Sequence, residues 1–102
     1  MNLREYQLAA LRTWSPDPDQ TRRVLNACLG LSGEVGEVTE PLKKHFFHGK
    51  SLDVGEFGKE LGDVLYYISV LANEYGLDLE DVARANIRKL EKRWPNKFGD
   101  PA

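Results

Sequence analysis

Residues 53–76, DVGEFGKELGDVLYYISVLANEYG, carry the pattern that decides the fold. Phe57, Leu61, Val64, Leu65, Ile68, Leu71 or Ala72, and Tyr75 recur at steps of three and four, the period of one helix face. Asp53 and Glu56 form a capping-box-like start, with Asp in the place of the usual Ser or Thr. Gly76 supplies the stop, because glycine takes the left-handed conformation that ends a helix. Nowhere does the period-two alternation of a half-buried strand appear.

Working outward, the same period recurs in three more segments. The first spans about Leu3 to Trp14, with Leu3, Tyr6 or Gln7, Ala10, Leu11 and Trp14 on one face, and Ser15-Pro16-Asp17-Pro18 breaks it. A second begins near Asp19 or Gln20, continues through Cys28, Leu31, Val35, Val38 and Leu42, and ends by Gly49. Pro41 is expected to kink or restart it, since proline lacks the N–H and clashes one turn back. Asp78 caps the last, which carries Leu79, Val82 or Ala83, Ile87, Leu90 and Trp94 before Pro95. The expectation is an all-α, four-helix bundle with short connections, one domain over residues 1–102. A chain this short buries only about 60–65% of its unfolded surface, so association with further copies would help it.

Two matched acid pairs stand out on two of these helices. Glu34 and Glu37 lie in GEVGE, and Glu60 and Asp63 in ELGD. Spacing of i, i+3 places each pair on one helix face a single turn apart. Surface acids on helices are usually balanced by Lys or Arg three or four residues away, and only Asp63 has such a neighbour, Lys59. Like charges at this spacing cost on the order of 0.2–0.5 kcal/mol per pair in an isolated helix. A hard divalent cation would turn that repulsion into coordination by oxygen, and Mg2+ fits such a donor set, with Mn2+ as a substitute. A solvated acidic face is the bland alternative for any one pair; two pairs on two apolar helices favour the ion. Gly30, Gly33 and Gly36 flank the first pair at a cost of about 1 kcal/mol each against alanine. They are read as letting a helix or ligand approach closely rather than as marking a loop.

Further groups are suited to phosphate. Asn86, Lys89 and Arg93 share one stripe of the fourth helix, and Lys43, Lys44 and Lys50 follow the first acid pair. Taken alone the stripe is an ordinary basic helix terminus; beside a metal it would hold a polyphosphate. His45 and His48, next to Phe46 and Phe47, suit an exposed or partner-facing role better than ligation. Trp14, Phe46, Phe47, Tyr66 and Tyr67 are the residues able to stack on a base, and Tyr67, one turn after Asp63, is the first candidate near the site. Each is also an ordinary core or interface residue.

Composition narrows the rest. The formal net charge of −2 provides no basic field, which argues against duplex nucleic acid. The single cysteine, Cys28, excludes an intramolecular disulfide and reads as a small hydrophobe. MNLREYQLAALR carries charge and lacks the apolar core of a signal peptide, and no apolar stretch approaches the roughly 18 residues of a membrane span. A reduced cytoplasm is the expected compartment.

Four stretches together carry a family resemblance: EYQLAALRTW at 5–14, LGLSGEVGEVTEPLKK at 29–44, KELGDVLYYISVLANEYGLDLEDVA at 59–83 and ANIRKLEKRWPNKF at 85–98. With them the chain resembles the MazG-like all-α nucleoside triphosphate pyrophosphohydrolases over nearly its whole length. The E-x-x-E … E-x-x-D signature is short, and the N-x-x-K-L-x-x-R-[YW]-P ending makes the match more specific. The resemblance implies Mg2+-dependent hydrolysis of a (d)NTP to the monophosphate and pyrophosphate. It implies Glu34, Glu37, Glu60 and Asp63 as metal ligands, and Asn86, Lys89, Arg93 and Lys43 or Lys44 as phosphate contacts. It also implies a dimer or tetramer of helical hairpins with sites near subunit contacts. Gly33 stands where some larger relatives carry an extra Glu, which leaves four clear ligands. An enzyme resembling the phosphoribosyl-ATP pyrophosphohydrolases and a non-catalytic helical interaction module are the competing readings.

Overall fold

The computed structural model describes residues 1–99, and every regular element among them is helical. Helix α1 covers Leu3–Leu11, α2 Gln20–His48, α3 Val54–Glu74 and α4 Leu79–Arg93, followed by a 3-10 turn at Pro95–Lys97. Short polar side chains start all four. Asn2 and Glu5 make a full capping box on α1, and Asp19, Asp53 and Asp78 accept the N–H groups of Thr21, Glu56 and Glu80. Gly49 at φ 65° ends α2, and Gly76 at φ 70° follows α3, both in the left-handed region that favours glycine.

Helices α2 and α3 form the long antiparallel hairpin that organises everything else. Its interior is narrow: Ala27 and Val70 are fully buried, and Gly30 lies against the ring of Tyr67. A Cβ added at Gly30 would stand 2.4 Å from Tyr67 Cε1 and Cζ, so this glycine is what lets the helices approach here. No such contact exists at Gly33 or Gly36, which face open space in the single chain. Helix α2 runs unbroken through Pro41, so the expected restart does not occur. One lost hydrogen bond is outweighed by the packing of α2 along α3.

Helix α1 packs on α3, and a buried glutamine ties three elements together. Gln7 Nε2 donates to the carbonyls of Ser69 (3.0 Å) and Leu77 (3.1 Å), while its Oε1 accepts the Leu79 N–H (2.9 Å). At the open end of the hairpin, Glu74 is the hub. It accepts from Arg23 Nε at 2.9 and 3.0 Å and from Trp14 Nε1 at 2.9 Å, and its side chain is 4% exposed. The Arg23 guanidinium, followed by the Trp14 indole, holds the Glu74 carboxyl below the usual range against the effect of burial. Trp14, Tyr66 and Tyr67 meet edge to face beside this hub, with centroids 5.2–6.4 Å apart.

The four helices do not close into a bundle within one chain. Helix α4 packs on α1 and α3 but not on α2, and α1 does not touch α2. The molecule measures 46 × 45 × 24 Å with a radius of gyration of 17.0 Å, against about 13 Å for a compact chain of this length. Its accessible surface is 7725 Å2, where a compact chain of this mass exposes roughly 5,800 Å2. An apolar stripe tells which face of a helix wants cover; it does not tell whether the cover comes from the same chain. No helix among the described residues is long and apolar enough to cross a membrane.

Candidate metal centre

The antiparallel hairpin runs in a single register, which explains where the acids fall. Arg23 meets Glu74, Gly30 meets Tyr67, and one turn further along α2 Glu34 meets Glu60 and Asp63 of α3. One carboxylate oxygen from each of Glu34, Glu60 and Asp63 lies within 4.8 Å of the others. Two oxygens bound to one Mg2+ at 2.0–2.1 Å are at most about 4.2 Å apart, so small side-chain rotations would bring the set within reach of such an ion. Glu34 and Glu60 are half-buried and Asp63 is exposed, which leaves the centre open on one side. Burial pushes the Glu34 carboxyl above its ordinary range, and the charges of Asp63, Glu60 and Glu37 add to the rise. Among the described residues no cation pairs with these acids: Lys59 pairs with Glu56 instead, at 2.9 Å. The donor set is all oxygen, anionic and crowded, which suits a hard divalent cation.

The remaining expected site residues fall in three places. Glu37 stands outside the trio, exposed, one turn closer to the hairpin tip, where it and Glu60 line an adjoining cavity of about 310 Å3. Lys44 lines the same cavity, whereas Lys43 is exposed on the last turns of α2 and takes no part in its lining. Tyr67 is half-buried and engaged with Gly30, Trp14 and Tyr66, so it closes the cleft beyond the acids rather than facing an open space. Asn86, Lys89 and Arg93 are exposed on α4, which does not contact α2, and within one chain they are not brought to the acids. Phe46 and Phe47 project at the tip, 72% and 82% exposed, and His45 is tied to the Lys50 carbonyl at 2.7 Å. The cavity adds two residues that the pair-by-pair reading passed over, Glu40 and Glu56, one turn beyond Glu37 and Glu60. Their signal is the continuation of the same spacing: Glu34, Glu37 and Glu40 are successive i, i+3 steps.

The model of the MazG nucleotide pyrophosphohydrolase domain matches residues 22–98, which include the hairpin but for its first two residues, and all of α4. The chain belongs to the MazG family. It is 32% identical over 101 residues to "Gene 37 protein" of Mycobacterium phage L5, covering 91% of this chain and 89% of that protein. It is also 49% identical over 39 residues to "Uncharacterized protein YvdC" of Bacillus subtilis (strain 168), covering 38% of this chain and 37% of that protein. No solved structure matches. Membership of the MazG family agrees with the all-helical architecture, and nucleotide pyrophosphohydrolase activity is the activity the family implies in general.

Proposed function

We propose that this MazG-family chain hydrolyses (d)NTPs to (d)NMP and pyrophosphate with Mg2+ held by the acids of the hairpin. The observation that carries the reading is the convergence of Glu34, Glu60 and Asp63 from two helices, with no cation among the described residues paired to them. When bound, a divalent ion supplies charge neutralisation for phosphate oxygens and acidity for the attacking water. Glu34, Glu60 and Asp63 are the residues that would hold it. Glu37 is exposed and outside the trio, and in this reading it would accept the proton of the attacking water. Helix register sets the spacing of Glu34 and Glu37 on α2 and of Glu60 and Asp63 on α3, so the protein would contribute orientation as well as charge.

The cationic half of the site is assigned to a second copy of the chain. The surplus of about 1,900 Å2 of exposed surface exceeds the roughly 800 Å2 that a standard interface removes from each partner. Asn86, Lys89 and Arg93, detached from the acids of their own chain, would meet those of a neighbour in a dimer or tetramer. Release of pyrophosphate from a triphosphate panel with Mg2+ tests the reading. Glu60→Gln and Asp63→Asn are expected to lower turnover at least a hundredfold while circular dichroism stays helical. Undiminished turnover in Asp63→Asn rejects the site, and calorimetry without metal-dependent heat for a non-hydrolysable nucleotide returns the chain to an interaction module.

A further inference from the structure

The geometry points to the cavity at the closed end of the hairpin as a nucleobase subsite that selects bases bearing an exocyclic amino group through Glu40 and Glu56. This rests on the reading of the acids as a triphosphate site and adds which end of the substrate goes where. The cavity shares Glu37 and Glu60 with the acid centre, so a ligand can occupy both without a gap. Its volume of about 310 Å3 lies at the low end of the roughly 300–1,000 Å3 usual for small-molecule sites, a size for a nucleoside and not for a peptide. Along the cleft the opposite direction is shut: Tyr67 fills the space against Gly30, backed by Trp14 and Tyr66. A substrate with its phosphates at Glu34, Glu60 and Asp63 therefore extends along the hairpin only toward the tip.

Charge decides which part of the substrate sits there. Five carboxylates line the cavity against two lysines, Lys44 and Lys50. That balance repels a phosphate tail and favours hydrogen-bond donors. Pro41, also in the wall, removes the amide that would otherwise bond the Glu37 carbonyl, which adds an acceptor. Leu52 and Phe57 supply the apolar surface on which a planar base can lie. Glu40 and Glu56 face this surface from the two helices, and their own partners are weakly held. Lys44 stands 4.0 Å from Glu40, and the Lys59–Glu56 pair is exposed to solvent. Cytosine and adenine offer an amino group where uracil and thymine offer a carbonyl oxygen. A carboxylate accepts a hydrogen bond from the amino group, whereas opposite that carbonyl it gains no bond and meets like partial charge.

The test is a kcat/KM panel over dCTP, dATP, dTTP and dUTP with Mg2+, read by pyrophosphate release. The amino-bearing pair is expected to lead the keto pyrimidines by at least tenfold. Glu40→Gln and Glu56→Gln, each donating as well as accepting, are expected to shrink that ratio at least fivefold, mainly through KM. Equal kcat/KM across the four, or an unchanged ratio in both variants with helicity retained, overturns the subsite. If no triphosphate is hydrolysed, the reading of the acids fails separately, and amide shifts on titration with nucleosides then judge the cavity. Shifts at Leu52 and Phe57 with deoxycytidine but not thymidine uphold the subsite, and none with either overturns it.

Discussion

At the residue scale, Glu34 shows what a crowded cluster of acids costs a small protein. A carboxyl whose folded pKa is raised binds its proton more tightly in the native state than in the unfolded chain. Its contribution to stability is therefore most favourable at low pH and declines as pH rises from the ordinary carboxylate value through the raised one. At neutral pH the hairpin carries that penalty, and a cation bound there, as proposed, would remove it. Glu34→Gln is expected to raise the melting temperature of the metal-free protein at pH 7 and to abolish the further rise on adding Mg2+. For the natural sequence, a hundredfold excess of ion over its Kd adds about 2.7 kcal/mol by mass action, a shift of roughly 10 °C or more. The same addition at pH 4 is expected to shift it much less, because protons compete for the acids. Differential scanning calorimetry with and without Mg2+ at the two pH values checks both statements.

Gln7 is the residue least legible from the sequence. Helical spacing left its place on the inner face open between it and Tyr6, and nothing in a linear pattern announces three hydrogen bonds to a later loop and helix start. Gln7→Leu keeps the volume but strands the Leu79 N–H and two carbonyls. A loss of about 2 kcal/mol in urea unfolding is expected, the usual scale for buried groups left unpaired.

At the scale of elements, the hairpin was readable because its caps, its stripe and its acids all repeat with the helix period. Asp53, Gly49 and Gly76 mark its ends as their chemistry requires. What the pattern did not show is which glycine matters. Gly30 alone of the three flanking the first acid pair sits against a side chain, and only the position of Tyr67 reveals it. Gly30→Ala is expected to destabilise by about 1–3 kcal/mol, since overpacking exceeds the gain in helix propensity. Glu74→Gln removes the charge that Arg23 and Trp14 converge on, and a loss of about 3 kcal/mol is expected for breaking a buried pair. Because the folded pKa of Glu74 is lowered, its contribution is present above the ordinary carboxylate value and is lost as pH falls through the folded one. Acid titration of the natural sequence and of Glu74→Gln should therefore converge at low pH.

At the scale of the whole molecule, the exposed face of α2 carries Leu25 and Leu29, 55% and 73% exposed, and Ile87 on α4 and Trp94 just past its end are about half-exposed. Sequence periodicity predicted these helices and their apolar stripes in an oligomeric bundle but not which stripes the chain covers itself, because period carries no information about which chain supplies the partner. The basic stripe on α4 was legible for the same reason that its distance from the acids was not. Leu29→Glu is expected to shift the solution mass toward the monomer without loss of helicity, and light scattering after size exclusion reads it. An unchanged mass would take this face out of the interface.

The common register of α2 and α3 has a consequence for how this hairpin can vary. One residue inserted between Ala27 and Glu34 would swing every later side chain of α2 by about 100° about the helix axis. Glu34, Glu37 and Glu40 would all leave the cleft together, while Arg23 and Glu74 stayed paired. Length changes are therefore tolerable around Gly49–Leu52 and in the segments on either side of the hairpin, but not within its arms. A deletion scan across 20–74 should read as two forbidden blocks separated by a permissive gap at the tip.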